Sequence, residues 1–290
     1  MQTAKTLPLQ VSYADAIYYG GDILTMTDDK PEYAQAIATK GEKIIIVGKK
    51  DKALEYKFGK TKLIDLQGRT LMPGFVDGHS HVYGVGLQAM VANVLPNPDG
   101  DANSVEQIVN ILKAAQHNPD YTTFIEKTGA ILGFGYDDAE LDRYPTKMDL
   151  DLVSTDKPVI IIHTSGHLSV ANSKALSMAG IDASTKNPDG GLIRRMPNSQ
   201  EPSGVLEENA HFALLFKLMQ SFDPELQDMM LEEGQKMYTK YGYTTAQEGR
   251  ATQEAYDSMV RASKANKFVI DVVAYADMAT SSSFMDSTYN

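Results

Sequence analysis

The sequence predicts an α/β protein with a β-rich N-terminal segment, and three observations carry that expectation. Short strand-like runs punctuated by Gly and Asp pairs fill residues 1–70. An apolar strand, 71–76, then runs into the pair His79-Ser80-His81. From Gly242 onward the texture is strand, helix, strand, which signals parallel α/β architecture.

Taken in order, 16–19, 23–26, 34–39 and 43–47 read as strands separated by Gly20-Gly21, Asp28-Asp29 and Lys40-Gly41. The last pair suits a tight hairpin turn. Runs 62–66 and 70–72 bracket Gly68, a second hairpin signal, so residues 1–70 are expected to form a small β-sandwich segment. Ser104 and Gln107 stand in capping-box spacing ahead of Val105, Ile108, Leu112 and Ala115 on one face, which predicts a helix over 104–115. Thr146 opens another, over 146–153. Gly133-Phe134-Gly135 reads as a turn. Val159-Ile160-Ile161-Ile162 is the continuous apolar run of a buried strand. Asn172 caps a short helix ended by Gly180. Residues 187–204, rich in Pro, Gly, Asn and Ser, read as a loop. Asp223-Pro224 opens a long helix with Leu226, Met230, Met237 and Tyr241 on one stripe, stopped at Gly242. Strand 243–247, helix 254–265 and strand 268–275 follow.

At 290 residues the chain suits one or two domains, and 42% hydrophobic with 22% charged residues is ordinary for a globular protein. A net charge of -11 disfavours nucleic acid, whose phosphates need a basic face. There is no cysteine, so thiolate sites and disulfides are excluded and any transition metal must sit on His, Asp, Glu or a modified Lys. No run of about 18 apolar residues exists to span a membrane. Residues 1–9 lack a secretory apolar stretch. The cytoplasm is the expected compartment, with the periplasm open if a signal peptide has been removed.

On an extended backbone, residues i and i+2 share a face, so His79 and His81 can converge on one metal ion. They leave a strand end, where parallel α/β folds place their sites. This points to a metal-dependent enzyme, although a catalytic centre needs about three protein ligands.

The stretch Gly68-Arg69-Thr70-Leu71-Met72-Pro73-Gly74-Phe75-Val76-Asp77-Gly78-His79-Ser80-His81 resembles the amidohydrolase superfamily. Ser165-Gly166-His167-Leu168-Ser169-Val170-Ala171-Asn172-Ser173-Lys174-Ala175-Leu176 is similar to a block in the branch containing N-substituted formamide deformylase. Gly204-Val205-Leu206-Glu207-Glu208 and Tyr241-Gly242-Tyr243-Thr244-Thr245-Ala246-Gln247-Glu248 match two further signatures. The resemblance spans 14–276 and implies a TIM-type (β/α) barrel flanked by the β-sandwich. His79 and His81 would ligate one or two divalent ions, Zn²⁺ foremost, which lowers the pKa of its bound water to about 7. Residues 71–290 would be the first part of the barrel, with 243–247 and 269–275 as strands 2 and 3 within 241–290. Residues 84–240 would be a long insertion covering the strand-1 mouth.

Asp77 is expected to orient a ligand imidazole rather than bind metal itself. His167 lines the substrate pocket by the resemblance; it could also pair with His163 as a helical i, i+4 ligand set, or be structural. Glu248, at the strand-2 end, either reaches substrate or is a surface carboxylate on a turn. Tyr136, with Asp137 and Asp138, is a pocket candidate. Glu207 and Glu208 read as solvated helix charges, and His117 and His211 as surface or helix-face residues.

Relatives draw further ligands and a proton-shuttling aspartate from later barrel strands, and no histidine follows His211 here. The barrel is therefore expected to be incomplete and the chain to be the N-terminal portion of a longer hydrolase, inactive alone. The expected substrate is a small amide, formamide or cyclic amide, and the expected partner a second copy or the missing C-terminal half. The rival reading is a non-catalytic binding or assembly module.

Overall fold

The punctuated N-terminal runs fold as one mixed sheet. In the computed structural model, which describes residues 13–277, the chain divides into two units, 1–75 and 76–290. In the first, β1 (Ala16–Leu24), β2 (Tyr33–Lys40), β3 (Lys43–Gly48) and, after the short helix α1 (Lys50–Leu54), β4 (Lys62–Asp65) line up in the order β3-β2-β1-β4. The first three run antiparallel and β4 lies parallel to β1. The runs expected at 16–19 and 23–26 are one strand with a register shift between Tyr19 and Ile23. A Cβ on Gly21 would meet Arg69 O at 2.1 Å, so the irregularity requires glycine. Gly68 closes no hairpin: the run before it pairs with β1, and Leu71 bridges Ile23 in parallel. Joining the open edge of β1 satisfies that strand's backbone groups. Ile17, Ala36, Ala38 and Ala53 form the buried centre of this unit.

The second unit follows β5 (Phe75–Val76), at the unit boundary, with helix α2 (Val82–Ala89) and the short β6 (Ala92–Asn93). Next come α3 (Val105–Ala115), α4 (Pro119–Thr128), β7 (Ile131–Tyr136), α5 (Lys147–Asp151), β8 (Val159–His163) and β9 (Leu168–Ala171). The helix α6 (Ser173–Ala179), the hairpin β10 (Gly191–Arg195) and β11 (Pro202–Glu208), and α7 (Asn209–Met219) complete this stretch. Its six strands form one sheet in the order β10-β11-β9-β8-β7-β6, parallel from β6 to β8 and antiparallel beyond.

The apolar run in β8 follows from burial on both faces. Ile160 and Ile162 enter one core with Leu176, Leu206 and Leu214, whereas Val159 and Ile161 enter another with Ile108, Leu112 and Leu150. Ser104 caps α3 through the Gln107 N–H, and Thr146 and Asp149 form a reciprocal capping box on α5. Asn172 caps α6: its Oδ1 accepts the N–H groups of Ala175 and Val159, and its Nδ2 donates to the carbonyls of Ser154 and Lys157.

Two expectations fail here. The 187–204 loop contains the β10–β11 hairpin. Gly133-Phe134-Gly135 is strand rather than turn, because a Cβ on Gly133 would meet Leu112, Ile161 and Val94, and one on Gly135 would meet Leu95 at 2.5 Å. Those glycines make room for packing.

Helix α8 (Pro224–Lys240) leads into β12 (Tyr243–Ala251), α9 (Gln253–Lys264) and β13 (Asp271–Ala276). β12 and β13 pair in parallel, as the strand–helix–strand texture predicts, in a sheet of order β13-β12-β5. α2 and α8 meet backbone to backbone: a Cβ on Gly86 would stand 1.8 Å from Met230 O, and one on Gly234 2.3 Å from Val82 O. The fold is thus mixed α/β. No helix among the described residues is long and apolar enough to cross a membrane.

Candidate functional site

His79 and His81 sit in the loop between β5 and α2, and side-chain and backbone hydrogen bonds stitch that loop to β12. The Asp77 N–H donates to Thr245 O at 3.0 Å, and Gln247 Nε2 donates to Asp77 O at 3.0 Å. Ser80 Oγ donates to Gln247 O at 3.0 Å and accepts the Gln247 N–H at 3.2 Å. The Gly249 N–H donates to Ser80 O at 2.7 Å. The Asp77 carboxylate accepts the His79 N–H at 2.9 Å, so it fixes the loop backbone. Burial raises its pKa, but the His79 N–H, Ser80, Tyr238 and the His79 ring together bring it below the ordinary value.

The two imidazoles stand edge to face with centroids 5.4 Å apart. Both lie over Gly249: a Cβ there would be 3.2 Å from Cε1 of each ring and 3.0 Å from Ser80 O. The cradle exists because residue 249 has no side chain. His81 Nδ1 is 3.5 Å from Glu248 Oε1. Glu248 is only 4% exposed; its Oε2 accepts the Tyr83 N–H at 2.9 Å and its Oε1 the Arg250 N–H at 3.3 Å. It is a buried strand residue, not a surface carboxylate on a turn. Burial pushes its pKa up, opposed by the Tyr83 N–H, His81 and the Arg250 N–H.

Two imidazoles over a glycine cradle, beside a carboxylate, are a donor set that suits a first-row divalent cation. Glu248 facing His81 Nδ1 leaves Nε2 as the nitrogen for a metal. Among the described residues, no three His, Asp or Glu donor atoms that include His79 or His81 lie within 4.8 Å of one another. The loop by itself thus presents fewer than three such donors.

The remaining candidates lie on the six-stranded sheet and its helix α7. Tyr136 ends β7, fully buried, its ring edge-on to His163 at 5.2 Å between centroids. His163 ends β8 and His167 lies in the β8–β9 turn, so the two do not form a helical ligand pair. His167 Nδ1 is 2.9 Å from Glu208 Oε2, and both side chains are about half exposed. Glu207 and Glu208 are strand residues rather than helix charges; Glu207 pairs with Arg194, and Glu208 holds a strained φ of +49°. His117 is exposed as expected. His211, expected as a surface or helix-face residue, lies on the buried face of α7, with neither ring nitrogen hydrogen-bonded among the described residues. The contact of His81 with Glu248 and the need for Gly249 escape sequence reasoning; their only sequence signal is the Glu-Gly that follows a predicted strand.

Residues 62–290 match the model of the Amidohydrolase family. The chain belongs to the amidohydrolase family. It is 31% identical over 242 residues to the exoenzymes regulatory protein AepA of Pectobacterium carotovorum subsp. carotovorum, covering 80% of this chain and 49% of that protein. It is 28% identical over 183 residues to N-substituted formamide deformylase of Arthrobacter pascens, covering 63% of this chain and 32% of that one. The chain thus spans about half the length of the first and about a third of the second. An uncharacterized metal-dependent hydrolase from Pyrococcus furiosus shares the fold, with a TM-score of 0.66 at 21% identity over 90% of this chain and 50% of that one.

Proposed function

We propose that this amidohydrolase serves metal-dependent hydrolysis of a C–N bond in a small amide, formamide or cyclic amide, with Zn²⁺ as the resident ion. What carries this reading is the placement of both imidazoles over Gly249 beside the buried Glu248. The name of the formamide deformylase supports the bond type. In this reading β5, β12 and β13 are the first three strands of a (β/α) barrel, the N-terminal sheet is part of a β-sandwich, and residues 84–240 cover the mouth.

His79 and His81 would hold the cation, which supplies Lewis acidity toward water and toward the scissile carbonyl. Glu248 would stand behind His81 on its Nδ1 side, 3.5 Å away, and orient the ring by its charge. Asp77 and Ser80 keep the loop rigid, so that neither ring must be ordered when substrate arrives. His167 and Tyr136, on the insertion, are the proposed substrate contacts.

The described donors at the loop are fewer than a catalytic site needs, so turnover is expected of a longer protein and not of these 290 residues alone. The apolar residues Val76, Val269 and Tyr275 are half or more exposed around the three-stranded sheet, and they are the proposed contact for a second copy or for further chain. A non-catalytic binding role is the second reading, favoured by the regulatory name of AepA.

The test is metal content and hydrolysis of a panel of formamides and cyclic amides, for the wild type and a His79→Ala/His81→Ala variant. The expected result is a retained cation whose affinity falls about 100-fold or more in the variant, with no turnover by either. Unchanged affinity in the variant would overturn the metal centre. Turnover by the wild-type chain would overturn the need for further donors.

A further inference from the structure

Three tyrosines meet where α8 turns into β12. Tyr238 lies in the last turn of α8, Tyr241 caps that helix, and Tyr243 begins β12. Gly242 stands between the last two with φ +83°, a left-handed conformation that ends a helix and that glycine adopts without strain. Tyr241 and Tyr243 thereby border a cavity of about 220 Å³, which Val85 of α2, Met237 and Tyr238 complete. A cavity of about 150 Å³ is enough to hold benzene, so a guest of that size fits here. Tyr238 is 8% exposed and Tyr241 63%, so the lining runs from the core to solvent. The rings of Tyr238 and Tyr243 stand at 80° with centroids 5.5 Å apart, as adjoining walls rather than a stack.

No charged side chain lines the cavity, so it offers a guest apolar contact and aromatic rings, whose faces are electron-rich. An uncharged apolar guest uses only the first. Two observations select a cation. The Lys240 ammonium, which does not line the cavity, stands 5.6 Å from the centroid of Tyr241, so this ring already attracts a cation. Carboxylates also stand behind the inner wall: the Tyr238 hydroxyl faces Ser80 and Asp77, and the charge of Glu248 acts on the same residue. The net charge of -11 draws cations to the chain as a whole. The kind of cation follows from the lining. A primary ammonium brings three N–H donors, and no carboxylate or amide side chain lines the cavity to accept them; a quaternary ammonium brings none.

We propose that Tyr238, Tyr241 and Tyr243, with Met237 and Val85, bind a quaternary ammonium group such as the trimethylammonium end of a small cation. The three rings supply cation–π attraction, while Met237 and Val85 supply dispersion contact to the N-methyl groups. None of the five is a donor or substrate contact of the proposed hydrolytic site, so the inference does not depend on a metal at His79 and His81.

The test is an NMR titration of the chain with choline and with 3,3-dimethylbutan-1-ol, its uncharged isostere in which carbon replaces nitrogen. Choline should shift the ring signals of Tyr238, Tyr241 and Tyr243 saturably. The alcohol should bind about fivefold more weakly, the share that cation–π attraction contributes at part-exposed rings. Tyr241→Leu should lower choline affinity by about the same factor and leave that of the alcohol unchanged, because leucine keeps apolar contact and removes a π face. Tyr241 is exposed, and circular dichroism checks that the variant is folded. No saturable shift with choline would overturn the proposal. Equal affinity for the two guests, or an equal loss for both in Tyr241→Leu, would also overturn it and leave a plain apolar pocket.

Discussion

The loop bearing His79 and His81 and the end of the six-stranded sheet both gather histidine and carboxylate, but they treat polar groups in opposite ways. At the loop the backbone takes up the carboxylates: Asp77 holds the His79 N–H, and Glu248 holds those of Tyr83 and Arg250. On the sheet and its flanking segments the balance reverses. Of the residues with a buried side-chain polar atom lacking a partner among the described residues, Tyr136, Tyr144, Ser169 and His211 belong to this region, and only Ser258 lies elsewhere. The difference teaches that the loop is a rigid holder whose free atoms are ring nitrogens, whereas the sheet end keeps unspent hydrogen-bonding capacity in a low-dielectric setting.

The largest effect expected from that contrast lies at His211. Burial pushes its pKa from 6.5 down to about 4, with the Gly166 backbone opposing, His167 adding to the fall and Glu208 opposing it. Between those values the unfolded chain takes up a proton that the folded protein refuses, so stability falls as the pH drops from 6.5 to 4. Replacing the group with one that does not titrate, His211→Gln, should remove that loss, on the order of 3 kcal/mol across the window. Urea unfolding of both proteins at pH 7 and pH 4 checks it. A difference between them that does not change with pH would erase the contrast between the two regions.

A smaller effect is expected at the loop. Gly249→Ala places a Cβ 3.2 Å from both imidazoles, so the rings must yield by a few tenths of an ångström. Cation affinity at the loop should fall about tenfold, while the fold stays unaffected. Isothermal titration with Zn²⁺ on the wild type and on Gly249→Ala sharpens the comparison. An equal affinity in the two would show that the rings do not depend on the glycine cradle.

What the sequence showed of this arrangement was its local part. Ser104 with Gln107, Thr146 with Asp149, and Asn172 act within one helical turn, so their spacing announces them. The β8 run reads as buried because both of its faces are covered. Glycine was harder to read, since the same residue serves for turning and for close packing. Gly133 and Gly135 pack under Leu112 and Leu95, and Gly68 ends no hairpin. For His211 the helix-face alternative holds and the surface one does not, because a helix-face histidine looks the same in sequence whether its face meets solvent or core. At the site, His79 and His81 were visible through their i, i+2 spacing. Glu248 joins His81 across more than 160 residues, a contact set by how the loop lies on β12 and not by any pattern along the chain.

Anomalous diffraction at the zinc edge, from crystals of the protein equilibrated with Zn²⁺, tests the central claim most directly. The account predicts a peak over Gly249 within bonding distance of His79 and of His81 Nε2. Ordered rings at saturating Zn²⁺ with no peak there would contradict it.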